Sequence, residues 1–315
     1  MIARDVTAGS SDAGPREEAA LARRAASSGI WQRNRAKYAF ILPGIGWVFA
    51  IGIFPILYAL RLSVFSYHLG GTERFVGLGN YLRAFSDDQF WHALGVTLRF
   101  AVVSVCATVT LGLLLALFFN RPIRGMPVFR TILTLPLFSP AVAIGYLTLT
   151  IVHQDGPVNS VLRLLGRQEP IPWLSDPFWA FVTVSAVDIW QWTPFAFIVL
   201  LAGLQAIPDE IYEAAALDTS SSWQVLRHIT LPLLLPVIVT VTILRTVESF
   251  KMVDIPYAVT GGGPGTATRT YSLYTYLAGM KGFDFGYGTT LSLLLMVLMV
   301  GLSALFFLRA RQLYE

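Results

Sequence analysis

Four stretches of this chain, residues 38–60, 100–119, 131–152 and 289–308, contain no Asp, Glu, Lys or Arg. Each is long enough to supply the roughly 20 apolar residues that a helix needs to cross a bilayer. Two further stretches, 177–204 and 229–252, are as apolar and are interrupted only by Asp188, Arg245, Glu248 and Lys251. Charged residues make up 13% of the chain and apolar ones 55%, against about 25% and roughly 45–50% in soluble domains. That balance argues against an ordinary soluble enzyme. The expected architecture is an all-α polytopic membrane protein, with a tail over 1–37 and six transmembrane helices within 38–315.

Basic residues assign the sides of the membrane. The tail 1–37, the loops 120–130 and 205–228 and the end 309–315 hold thirteen Lys and Arg in 79 positions, whereas 61–99, 153–176 and 253–288 hold eight in 99. Basic flanks stay in the cytoplasm. Both termini are therefore expected inside, in a multi-pass protein of the cytoplasmic (inner) membrane. Within the tail, residues 15–24 have a charged helical pattern suited to the inner membrane surface, and a disordered basic tail fits equally well. The first apolar run exceeds the 7–15 residues of a signal peptide's apolar region and has no small-residue cleavage site after it, so it reads as a retained span.

Much chemistry is missing. No phosphate-cradling Gly-x-x-x-x-Gly-Lys-Ser/Thr loop occurs, and the four histidines are far apart with no His-Glu-x-x-His pairing or Gly-x-Ser-x-Gly elbow. The single cysteine, Cys106, lies inside an apolar run. It reads as a small core residue and excludes a disulfide framework. The basic residues are spread among loops without aromatic interleaving, so nucleic acid is not an expected partner.

The stretch between spans four and five is the exception to this plainness. Gln205-Ala206-Ile207-Pro208-Asp209-Glu210-Ile211-Tyr212-Glu213-Ala214-Ala215-Ala216-Leu217-Asp218 places a proline and two acids at a helix start, where both are favourable. A short helix outside the membrane with a flat alanine patch follows, then a serine break, then Trp223 and Leu226 leading into Ile229-Thr230-Leu231-Pro232.

Glu213-Ala214-Ala215, Asp218, Trp223 and Ile229-x-Leu231-Pro232 resemble the "EAA" loop of binding-protein-dependent ABC transporter permeases. Thr219 stands where that family usually has Gly, which implies a local backbone adjustment. Phe75-Val76-Gly77-Leu78-Gly79-Asn80-Tyr81, with Phe90-Trp91-x-Ala93-Leu94 and Thr97-Leu98-x-Phe100, and Thr260-Gly261-Gly262-Gly263-Pro264 with Gly286-Tyr287-Gly288, resemble outward segments of the maltose and glycerol-3-phosphate subgroup. The resemblance implies a type I ABC importer permease fold with a cytoplasmic coupling helix. It further implies a heterodimeric pairing with a second homologous permease, two ABC ATPase subunits and an extracytoplasmic solute-binding protein, all in lipid. Glu213, Ala214, Ala215, Asp218, Trp223 and Leu226 would be the ATPase-coupling residues. The chain itself would need no cofactor or metal, because ATP and Mg would belong to the ATPases.

The rare polar residues inside the spans point to a path for solute, since a charge in a membrane costs at least a few kcal/mol and faces a bundle interior or a wet cavity. Asp188, Gln191, Trp192 and Phe195 fall on one helix face, and so do Arg245, Glu248 and Met252. A carboxylate and an amide beside an indole suit sugar hydroxyls and the C–H face of a ring. Arg245 and Glu248 either neutralise each other structurally or line the path. Carried over from the maltose-type family, the sugar-contact positions are Asp188, Gln191 and Trp192 in one span and Glu248, Lys251 and Met252 in the next, while the differing side chains leave room for a polyol-like or anionic solute. Pro136, Pro140, Pro194, Gly145 and Gly203 interrupt spans three and four as candidate hinges. The expected function is the permease subunit of an ATP-driven importer of a carbohydrate-like solute; the alternatives are an ion-coupled carrier, which would want an internal repeat, and a membrane-embedded enzyme using Asp188, Glu248 and Lys251.

Overall fold

The computed structural model describes residues 37–121, 125–219 and 221–314. The expected tail, with its charged stretch 15–24, lies outside the described residues apart from Lys37. The chain divides into two compact units, one ending at Ala59 and one beginning at Leu60. Helix α1 (Lys37–Ser63) runs through that division. In the first unit its apolar side chains are exposed, as a span solvated by lipid requires.

Among the described residues the second unit is mostly helical, with one two-stranded antiparallel ribbon, Phe65–Ser66 with Arg74–Phe75. After α2 (Gly79–Ser86) come α3 (Asp88–Phe119), α4 (Met126–Thr134), α5 (Ala141–Ile151), α6 (Pro157–Leu164), α7 (Pro177–Gln205) and α8 (Asp209–Asp218). They are followed by α9 (Ser222–Phe250), α10 (Asp254–Thr260), α11 (Tyr271–Tyr276, continuing through Leu277–Lys281) and α12 (Phe285–Tyr314). Asp87 caps α3 by accepting the Gln89 N–H at 2.9 Å, and Asp176 caps α7 by accepting those of Phe178 and Trp179, both at 3.0 Å, with Pro177 in the first turn.

Among the described residues five helices are long and apolar enough to span, and α4 with α5 makes up to a sixth. That sixth corrects the expected span 131–152, because the two helices are bent by 98°. The cause is local: Pro136 sits in a tight turn over Leu135–Phe138, Pro140 lacks an N–H, and Ser139 between them is extended. Other bounds shift too. The span expected from residue 100 starts at Asp88, and its 32 residues reach roughly 48 Å at about 1.5 Å each. The span expected at 229 starts at Ser222, so the connection 205–228 loses its last two turns to α9, and the last helix begins at Phe285 and ends at Tyr314.

Helices α3 and α7 lie side by side in the same direction, with Phe100 against Phe181 at 6.4 Å near one end and Phe119 against Phe197 at 5.8 Å near the other. Their close approach is set by Gly112, where an added Cβ would stand 2.5 Å from the Ala196 Cβ. Gly145 and Gly203, expected as hinges, are also tight seams, because a Cβ there would meet Ala258 at 2.5 Å and Leu234 at 2.8 Å. Phe197, Leu200, Leu204, Leu234 and Val241 fill the core that α7 and the returning α9 share. Cys106 corrects another expectation: it is exposed on the outer face of α3 rather than buried in the core.

The segments 61–99 and 253–288 build one polar layer. Asn80 donates to the Ser63 and Phe65 carbonyls at 2.8 and 2.9 Å, and Arg83 pairs with Asp284 at 2.7 Å. Asp87 accepts from the Tyr274 hydroxyl and, at 2.7 Å, from that of Tyr287. The Gly286-Tyr287-Gly288 motif is a close approach, since side chains at Gly286 and Gly288 would collide with the Phe65 carbonyl and the Gly279 backbone.

Candidate functional site

All six residues expected to contact solute line one cavity of about 140 Å³ between α7 and the end of α9. Helical spacing puts Asp188, Gln191 and Trp192 on one face of α7. Helix α9 ends at Phe250, and Lys251, Met252 and Val253 turn the chain into α10, whose Asp254 and Ile255 complete the wall with Ala141.

The charges pair differently from the expectation. Arg245 does not neutralise Glu248; its Nη2 donates to Asp188 Oδ2 across the bundle at 2.6 Å and to Ser104 Oγ at 3.0 Å, while Ser104 donates to the same carboxylate oxygen. The Arg245 side chain is 0% exposed and that of Asp188 3%. Desolvating two charges costs several kcal/mol each and is offset only by close geometry and added hydrogen bonds, which Ser104 supplies. Glu248 pairs instead with Lys251 at 2.7 Å, with side chains 38% and 54% exposed. The contribution of Ser104 is invisible in sequence, where it is one serine in an apolar run.

Trp192 has a cation beneath it and an aromatic beside it. The Arg245 guanidinium lies 4.7 Å from its ring centroid, and Phe195 meets it edge-on at 6.0 Å. Gln191 donates to the Ser139 carbonyl at 3.0 Å in the break between α4 and α5, leaving its buried Oε1 without a partner. Met252 is mostly core, packed with Phe100, Val184 and Ile255. The cavity thus combines a fixed indole platform, a buried amide oxygen without a partner and an ion pair open to water. Together they can hydrogen-bond hydroxyls and stack a ring.

The second candidate region is α8. Pro208 precedes it with extended backbone, and Asp209 and Glu210 occupy its first turn. Glu213, Ala214 and Asp218 are exposed, together with Leu217 at 89% and Trp223 at 65%. Ala215 is buried and Leu226 half-buried, so these two of the six expected coupling residues face their own chain. Tyr212 and Thr230 hydroxyls meet at 3.3 Å. Thr219, in place of Gly, is extended with a φ of −152°; its hydroxyl accepts the Ser221 N–H at 3.1 Å and bonds Gln224, tying α8 to the start of α9.

Residues 108–312 match the family described as binding-protein-dependent transport system inner membrane component. The trehalose/maltose transport system permease protein MalF of Thermococcus litoralis is 38% identical over 282 residues, covering 88% of this chain and 94% of that one. The lactose transport system permease protein LacF of Rhizobium radiobacter is 38% identical over 280 residues, 87% and 94% of the two chains. The fold is that of a permease in a solved bacterial alginate ABC transporter in complex with its alginate pentasaccharide-bound periplasmic protein, with a TM-score of 0.78 at 24% identity over 90% of this chain and 96% of that one.

Proposed function

The chain belongs to the family of binding-protein-dependent transport system inner membrane components, and from that premise we propose that it is the permease subunit through which an ABC importer passes a carbohydrate. It is a transport subunit, not an enzyme. One observation carries the reading: the helices flanking α8 are α7 and α9, and these same two helices hold the polar cavity. From Gln205 at the loop end of α7 to Asp188 is about 25 Å at roughly 1.5 Å per residue. A force on α8 therefore reaches the cavity along two helices whose seam, at Gly203, leaves no slack.

In this reading α8 and both termini lie in the cytoplasm. The exposed Leu217 and Trp223, with Glu213 and Asp218, dock on an ATPase subunit that holds ATP and Mg, and a solute-binding protein delivers sugar from the other side. A hydroxyl-rich ring stacks on Trp192, and Gln191, Glu248 and Lys251 take its hydroxyls. The cavity of about 140 Å³ is below the roughly 300–1,000 Å³ of ligand pockets. That shortfall fits a half-site completed by a second, homologous permease. Relatives named for trehalose, maltose and lactose support a sugar as the solute.

The test is ATP hydrolysis by the reconstituted complex, with its binding protein loaded in turn with trehalose, maltose and lactose. Stimulation by one sugar is expected, abolished by Leu217→Asp with assembly retained. Solute movement by the chain alone, without ATPase subunits, would sink the proposal.

A further inference from the structure

Helix α2 is amphipathic in the reverse of the sense that water demands. Asn80 and Ala84 face inward, with Asn80 donating to the carbonyls of Ser63 and Phe65. Leu78, just ahead of the helix, Leu82 and Phe85 are each more than half exposed and share one face at i, i+4 and i+7. An exposed apolar face over a buried amide is stable where the surrounding medium is itself apolar. We infer that α2 is an interfacial anchor, lying in the bilayer leaflet remote from α8 with Leu78, Leu82 and Phe85 immersed among lipid chains just below the headgroups. The inference goes beyond the proposed function and assigns this face to lipid.

Three observations point to lipid rather than water or a protein partner. The first is depth. The 32 residues of α3 reach roughly 48 Å at about 1.5 Å each, against a hydrocarbon core of about 30 Å. Shared between the two ends, the excess is about 9 Å each, which puts Trp91, in the first turn of α3, in the headgroup layer. An indole is favoured at that level. The Phe85 ring meets that of Trp91 at 6.3 Å, and the Phe85 carbonyl accepts the Trp91 indole N–H at 2.9 Å, so α2 is held at the same depth.

The second is continuity. Trp91, Leu98 and Val102 follow one another at i, i+7 and i+11 as an exposed stripe on α3, and Phe85 extends that stripe onto α2. The stripe turns away from the bundle: Phe100, which packs on α7, is nine residues and about two and a half turns from Trp91, on the opposite side of the helix. In the reading above, a second permease completes the cavity between α7 and α9 and so approaches from that other side. A binding protein that docks and leaves would return the apolar face to water in every cycle. The third observation is charge. Arg99 stands exposed beside the stripe with no salt bridge among the described residues, and its Nε donates to the Gly95 carbonyl at 3.3 Å, one turn nearer Trp91. A guanidinium bent toward the headgroups meets lipid phosphate there, whereas an apolar protein partner would strand it.

The test uses the protein, purified with its partners, in liposomes and with Cys106→Ser as background, which leaves no other cysteine in this chain. Leu82→Cys and Phe85→Cys each carry an environment-sensitive fluorophore, the Cys106→Ser protein treated alike is the blank, and an unchanged thermal midpoint shows that each variant folds. The expected result is a blue-shifted emission that is quenched by phospholipid bearing a nitroxide near the glycerol end of its chain and hardly at all by aqueous iodide. Leu98→Cys, deeper on the same stripe, should instead be quenched most by a nitroxide near the end of the chain. Quenching of both α2 labels by iodide, with none by nitroxide lipid, would overturn the anchor by placing the face in water. Shielding from both quenchers would overturn it by giving the face to protein, the second permease or the binding protein being told apart by cross-linking. None of these readouts depends on sugar-stimulated ATP hydrolysis, so the anchor and the proposed function stand or fall separately.

Discussion

Two ion pairs lie within two turns of each other at the end of α9, and they differ in almost every physical respect. Arg245 and Asp188 join α9 to α7, share Ser104 and are removed from solvent. Glu248 and Lys251 belong to one stretch of chain, three residues apart, and line the cavity. The first pair cannot separate without leaving a bare charge in the bundle. The second can open at little cost, because water replaces each partner. The comparison assigns a structural role to the charges that sequence alone makes most conspicuous, and leaves solute handling to the exposed pair and the groups around it.

Breaking the buried pair from one side should have the largest effect. Arg245→Met strands the Asp188 carboxylate and is expected to cost about 3–5 kcal/mol, read as a lower thermal midpoint of the detergent-solubilised complex. Asp188→Leu together with Arg245→Met should recover most of that loss. An Arg245→Met protein as stable as the parent would show that the pair carries no strain and would erase the distinction.

Trp192 touches both sides of the comparison, since it rests on Arg245 and lines the cavity. Trp192→Leu removes a desolvated cation–π contact of about 2 kcal/mol and the stacking platform with it. A modest fall in stability is expected alongside a large rise in the sugar concentration needed for half-maximal transport. Equal transport kinetics in the variant would mean that the ring serves packing alone. Lys251→Met should sharpen the contrast further: exposed pairs contribute about 0–1 kcal/mol, so stability should barely move while the KM for sugar changes. A stability loss as large as that of Arg245→Met would make the two pairs equivalent.

Neither pair was legible in sequence, which offered Arg245 with Glu248, and the reason follows from where the partners lie. Helical spacing identified the faces of α7 and α9, because i, i+3 and i+4 relations are local, and the six positions implied by the family resemblance all line one cavity. The partners of Arg245 are distant in sequence: Asp188, 57 positions away on α7, and Ser104, 141 positions away on α3. Hydropathy found the apolar runs but missed the start of α3, because His92 and Arg99 interrupt the run while Phe90, Ala93 and Val96 keep a helical face buried. The break at Pro136 and Pro140 was visible as residues but not as a 98° turn. Nothing local tells a kinked span from two helices, since the neighbours that satisfy the freed carbonyls, such as Gln191 at Ser139, come from elsewhere in the chain.

A third carboxylate, Asp87, lies between the two extremes and gives the smallest effect. It is half-buried and held by hydroxyls and a backbone N–H instead of a direct ion pair. Burial pushes its pKa up, but the bonds from Tyr274, Tyr287 and the Gln89 N–H, with the nearby Arg83 charge, outweigh burial and hold it below the ordinary carboxylate value. The same contact, added to burial, pushes Tyr274 up to about 12. A carboxyl with a depressed folded pKa contributes stability that is complete above its unfolded value, near 4, and is lost as pH falls through the folded value. The complex should therefore lose stability below about pH 4, and Asp87→Asn should flatten that acid limb while lowering stability slightly at neutral pH. Tyr274→Phe should have the same sign and a smaller size, because Tyr287 and the cap remain. Thermal midpoints measured from pH 7 to 3 decide the matter. Parallel curves for parent and Asp87→Asn would mean that the tyrosine clasp exchanges freely with water, placing Asp87 with the exposed pair and not between the two.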